Sequence, residues 1–154
     1  MNDLSKETGD AGKICTEKTN GGKMEKVRKT FVIIGGVNLL IWGLFHISFW
    51  FAPFPVDWKN ELTKITELNS NVMQMLNIGI IVFLLSFGVM MLSCRREILT
   101  FASGRALLII FALFWLARLT GEIVFPGGSV ILGFILFLCV LIYLIPAIII
   151  HKHE

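Results

Sequence analysis

From Phe31 onward the chain is built of long apolar runs separated by short polar interruptions, and four runs stand out at residues 31–52, 72–93, 105–125 and 129–150. Each supplies about 20 residues, which at a helical rise of ~1.5 Å matches a hydrocarbon core about 30 Å thick. None has the polar–apolar alternation of a barrel strand. Backbone N–H and C=O groups immersed in lipid must be satisfied within their own segment, so runs of this length predict helices. A soluble all-α protein would need a polar face on each helix, and these segments lack one. The pattern predicts an all-α integral membrane protein, a four-transmembrane-helix up-down-up-down bundle occupying residues 31–150.

Composition agrees with the pattern. The chain has 154 residues, room for one domain, and its 55% hydrophobic content exceeds the roughly 45–50% of soluble domains. The excess is uneven. Residues 1–30 are polar and rich in Lys, Glu, Gly and Thr, the composition of a disordered basic leader. Orientation follows from counting Lys and Arg over the short flanks. Lys13, Lys18, Lys23, Lys26, Arg28 and Lys29 precede the first run, and Arg95, Arg96 and Arg105 lie between the second and third. Against these nine, the first loop carries only Lys59 and Lys64, balanced by Asp57, Glu61 and Glu67. Both termini, including the tail 151–154, are therefore expected on the cytoplasmic side of the cell (plasma) membrane. The first run is too long for a cleaved signal core and reads as an uncleaved anchor. The stretch from Met24 to Thr30 resembles a short cytoplasmic leader, so translation from Met24 is an alternative to Met1.

Loop chemistry refines the expected bundle. Pro126-Gly127-Gly128 predicts a tight reversal that makes the third and fourth spans antiparallel neighbours. In the first loop, positions recur every three or four residues through Trp58, Leu62, Ile65, Leu68 or Asn69, and Val72, with Asp57 placed as an N-cap. Residues 57–71 are thus expected to form an outer amphipathic segment, with Trp50 and Trp58 at headgroup depth. Helix association in lipid is driven by packing, which favours small residues at close approaches. Gly36 and Gly43 on the first span, and Gly79, Ser86 and Ser93 on the second, each recur at seven and are expected to form the seams. Pro146 is expected to bend the end of the fourth span.

The chemistry that matters is the polar set inside the runs: Asn38 and His46, Gln74 and Asn77, Arg118 and Glu122, then Cys139 and Tyr143. Measured from the span midpoints at ~1.5 Å per residue, His46, Asn77, Arg118 and Glu122 lie roughly 4 to 10 Å toward the outer face. Twelve Leu, Ile, Val and Phe residues in the third span contribute about −4 to −7 kcal/mol to insertion, against up to about +2.5 to +3.5 kcal/mol for each charge. Arg118 and Glu122, four apart and so on one face, are expected to turn inward beside Trp115. His46 and Asn77 complete the expected cluster, with Gln74 a turn further out.

Three readings of that cluster stand side by side. It fastens helices through hydrogen bonds; it forms a polar intramembrane pocket near the outer leaflet for a small amphiphile, a lipid, a quinone or a partner helix; or His46 and Glu122 exchange protons in a transport or redox-accessory subunit. A catalyst is not expected. A b-type haem needs two facing ligands and His46 is the one histidine within a run, while metal sites need three or four convergent ligands, so no cofactor is expected. The cysteines Cys15, Cys94 and Cys139 offer no CxxC pair. The basic leader is explained by topology and anionic lipid, leaving the bilayer, an amphiphile, and a membrane-protein partner or homo-oligomer as expected partners, and no nucleic acid. In hydropathy plan the chain is similar to the DoxX-like membrane proteins and the sterol-isomerase-like four-helix proteins. No residue role is carried across from either.

Overall fold

The computed structural model describes residues 4–51, 57–125 and 129–151. The described chain is helical throughout: α1 Leu4–Ser48, α2 Trp58–Thr63, α3 Glu67–Ser93, α4 Arg95–Thr100, α5 Ala102–Val124 and α6 Val130–His151. Four stretches are long and apolar enough to cross a membrane, namely Met24–Ser48 in α1, Glu67–Ser93, Ala102–Val124 and Val130–Ile149. Their outer faces explain why lipid rather than water suits the molecule. Ile41 is 60% exposed, Leu76 62%, Leu113 58% and Phe134 63%, positions where a water-soluble bundle would carry polar side chains. The chain is a membrane-embedded, multi-pass helical protein.

Several boundaries differ from expectation for local reasons. The helix of the first span continues back through the basic leader to Leu4, where the sequence reading expects a disordered segment. The amphipathic stretch 57–71 is two helices rather than one. Asp57 caps α2 as expected, its carboxylate accepting from the Asn60 N–H at 3.2 Å. Thr66 then starts a second helix by accepting from the Asn69 N–H, so α3 begins at Glu67, five residues before the apolar run. The connection between α3 and α5 contains the unforeseen short helix α4, whose C-terminal carbonyl at Leu99 accepts from Arg28 at 2.6 Å. A cation is the natural partner for the negative end of a helix. The Pro126-Gly127-Gly128 turn, the residues 152–154 of the tail and the expected end of the first span at Ala52 lie outside the described residues.

Neighbouring helices run antiparallel, as their pairings show. Along α1 and α3, Gly36 meets Gly88, Gly43 meets Leu85, and His46 meets Asn77. Along α1 and α6, Gly35 meets Tyr143, and Asn38 reaches Cys139 as well as Tyr143. Along α5 and α6, Glu122 meets Ser129 and Leu119 faces Gly133. The seam between α1 and α3 corrects half of the small-residue expectation. Gly36 and Gly43 are in it, but Gly36 faces Gly88 and Gly43 faces Leu85: a Cβ on Gly88 would lie 3.1 Å from the Gly36 carbonyl oxygen, and one on Gly79 would touch nothing within 4 Å. Ser86 and Ser93 are exposed.

α1 therefore sits between α3 and α6, and α5 packs chiefly on α6. The faces of α3 and α5 approach through aromatic rings instead of close backbone contact. Phe83 lies 5.5 Å from Phe114 and 5.9 Å from Phe111, and Phe87 lies 5.4 Å from Phe111. Leu39, Leu84, Phe111, Trp115, Leu136 and Tyr143 form the centre of the buried core around them. Because bulky rings hold α3 away from α5, a gap opens beyond the Phe83–Phe114 contact, toward the end of the bundle that carries α2.

Candidate functional site

That gap is a cavity of about 560 Å³. Its wall is mostly hydrocarbon and aromatic, drawn from α1, α2, α3, α5 and α6, with Trp42, Phe45, Phe49, Trp58, Phe114 and Trp115 supplying the rings. These rings are braced against one another. Trp42 lies 5.4 Å from Trp115, and Trp58 stacks on Phe49 at 5.6 Å with an interplanar angle of 21°. α2 thus brings one aromatic face to the mouth of a cavity that the long helices border.

Three polar side chains share this wall: His46, Asn77 and Arg118. Asn77 is buried in α3 at 5% exposure, and its side chain makes two bonds to one residue of α1. His46 Nδ1 lies 2.7 Å from Asn77 Oδ1, and Asn77 Nδ2 donates to the His46 carbonyl oxygen at 3.4 Å. An amide oxygen only accepts, so the proton of this bond sits on Nδ1. The reverse amide orientation would set oxygen against the His46 carbonyl and is disfavoured. Neutral His46 then carries its lone pair on Nε2, the ring nitrogen left over from the contact with α3.

Arg118 stands apart from this pair. It lies on the same wall, with its charge within electrostatic reach of the His46 ring, but it is exposed and makes no side-chain hydrogen bond or ion pair with any other described residue. Glu122, the partner expected from its spacing of four, is engaged elsewhere. Its Oε1 accepts from the Ser129 N–H at 2.6 Å, and Ser129 Oγ in turn accepts from the Leu132 N–H. A carboxylate at the start of α6 satisfies a donor that has no partner within the helix and meets the positive end of the helix dipole. Glu122 is thus a clasp between α5 and α6 and is not on the cavity wall.

The structure brings together His46, Asn77, Arg118 and Trp115 out of the six residues singled out in the sequence, and leaves out Glu122 and Gln74. Gln74 is half-buried and reaches only along its own helix, to Ser70 Oγ at 3.5 Å. A second polar cluster was not foreseen, although its members were visible as isolated polar residues. Tyr143 donates to the Gly35 carbonyl oxygen at 2.7 Å and accepts from Asn38 Nδ2 at 3.3 Å, while Cys139 Sγ lies 3.6 Å from Asn38 Oδ1. This set ties α6 to α1 on the far side of Trp42 and Trp115. The glycine at 35 is part of the device, since a Cβ there would lie 2.9 Å from the Tyr143 ring.

The two clusters differ in chemical capacity. The Asn38–Tyr143–Cys139 set is closed, with its members spent on one another and on backbone. The His46–Asn77–Arg118 set borders open volume and has an unspent ring nitrogen and guanidinium, so it can meet a molecule from outside. Compared with protein-family models, with curated proteins and with solved structures, the chain matches none of them.

Proposed function

We propose that the protein binds a small amphiphilic molecule in this cavity, on the outer-leaflet side of the membrane, and does so without catalysing a reaction. The observation that carries the reading is the grouping of His46, Asn77 and Arg118 on the wall of an otherwise apolar, aromatic cavity of about 560 Å³. Cavities of about 300–1,000 Å³ with a few convergent polar groups are the usual form of small-molecule sites. Membrane depth adds to the argument. Counted at ~1.5 Å per residue, Arg118 lies about 7 Å from the midpoint of α5, at a level where polar groups are expensive unless partnered.

The alternative of proton-coupled transport has less support, because Glu122 is tied to Ser129 and is not on the wall with His46. The reading of pure helix fastening describes the His46–Asn77 pair well, but it offers no role for Arg118. The test is native mass spectrometry of the full chain released from mild detergent, with lipid extraction of the same sample. A bound small amphiphile is expected in the native protein, and its occupancy is expected to fall in Ile80→Phe, which fills the cavity from α3. Equal occupancy in the two proteins, or none in either, refutes the proposal.

A further inference from the structure

We infer that the occupant is a single-chain amphiphile with an anionic oxygen head, a carboxylate or a phosphate monoester, whose head meets Arg118. This rests on the cavity being a binding site, and adds the charge and size of what it binds.

The charge follows from what the wall lacks. Arg118 is the one permanently charged residue on it; no Asp or Glu takes part in it. The nearest carboxylate along α5, Glu122, is held by the Ser129 N–H at 2.6 Å. The wall therefore presents an uncompensated positive charge at the edge of a hydrocarbon space, where a counter-charge is favoured far more than in water. A guanidinium offers paired, parallel N–H donors that match a carboxylate or phosphate. A further donor lies along the same wall: the Trp58 indole N–H is buried without an acceptor among the described residues. A neutral quinone would use such donors weakly and leave the charge unmet.

The size follows from the volume. About 560 Å³ lies within the range of roughly 300–1,000 Å³ usual for small-molecule sites. That is the scale of one fatty chain with its head. The aromatic wall formed by Trp42, Phe45, Phe114 and Trp115 suits a flexible chain, since ring faces and edges pack against methylene groups without directional demands.

The binding measurement uses the protein's own fluorescence, because Trp42, Trp58 and Trp115 all line the cavity. Full-length protein in a non-ionic detergent is titrated with stearate brominated in mid-chain, with the correspondingly brominated stearyl alcohol, and with a brominated phosphatidylcholine. Bromine quenches tryptophan on contact. The acid is expected to quench saturably at a concentration at least about tenfold below that of the alcohol, as one charge-assisted contact implies. Arg118→Lys is expected to keep most of that preference and Arg118→Gln to bring the acid to the level of the alcohol. Competition by unlabelled stearate and by stearyl phosphate then tells which oxyanion head is preferred. Equal potency of acid and alcohol on the native protein overturns the charge assignment while leaving the cavity reading intact. Tighter quenching by the phosphatidylcholine than by the acid overturns the single-chain assignment. Absence of saturable quenching by all three overturns the cavity reading itself. Since the acid–alcohol comparison is made on the native protein, it decides the matter even if Arg118→Gln does not fold.

Discussion

The pair His46–Asn77 lends itself to a double-mutant cycle whose outcome can be worked out beforehand. Asn77→Leu keeps the branched shape and removes the acceptor at 2.7 Å, leaving the His46 Nδ1–H with no partner. His46→Phe removes the donor and strands the Asn77 amide oxygen, while the 3.4 Å bond to the residue-46 carbonyl survives and contributes little. Each single change therefore leaves one buried polar group unsatisfied, at a cost of roughly 1–3 kcal/mol. The double variant strands nothing on either side of that bond, since replacing both partners by apolar groups is nearly neutral. Hydrogen bonds between membrane helices average about 0.6 kcal/mol and reach about 1.7 kcal/mol in the strongest measured cases. Asn77 is only 5% exposed and the bond is short, so the coupling is expected in the upper half of that range, about 1–1.7 kcal/mol. The assay is reversible unfolding in mixed micelles with rising mole fraction of dodecyl sulfate, followed by circular dichroism for all four proteins. Additivity within about 0.3 kcal/mol, with all four folded, would show that the two helices are not joined through this contact.

Other substitutions probe the remaining contacts under the same denaturation assay. Gly88→Val is expected to destabilise by about 1–3 kcal/mol, because the Gly36 carbonyl 3.1 Å from the new Cβ is backbone and cannot swing aside. Gly79→Ala meets nothing within 4 Å and is expected to stabilise α3 by up to about 1 kcal/mol through helix propensity alone. Tyr143→Phe removes the donor to the Gly35 carbonyl and the acceptor for Asn38, and is expected to cost about 1–3 kcal/mol. Glu122→Ala is expected to cost about 1–2 kcal/mol and to speed hydrogen exchange at the Ser129 amide. Glu122→Gln, which keeps an acceptor oxygen, should lose less than half as much, and equal losses would refute the clasp.

The placement of Glu122 carries a general point about charges in membrane helices. Spacing of four put Arg118 and Glu122 on one helix face, and low dielectric argued that both must find partners. Both premises hold for Glu122, yet the partner is a backbone N–H at the start of the next helix. The unpaired donors at a helix start compete for a carboxylate on equal terms with a guanidinium one turn away. That competition is what leaves the arginine free to face the cavity.

The apolar pattern by itself determined the four long helices, because segment length against bilayer thickness and internal backbone bonding are properties of a single stretch of chain. The Asp57 cap and the clustering of His46, Asn77 and Arg118 at one level could be read for the same reason, each depending on position along one helix. Rotation of one helix against another is a different kind of fact. It decided that Gly88, and neither Gly79 nor Ser86, faces Gly36, that Asn38 reaches Tyr143, and that aromatic rings prop α3 away from α5. In an all-apolar medium no solvent-driven sorting of faces marks which side of a helix is inward, so these choices rest on shape complementarity between segments distant in sequence. Only the assembled bundle contains that information.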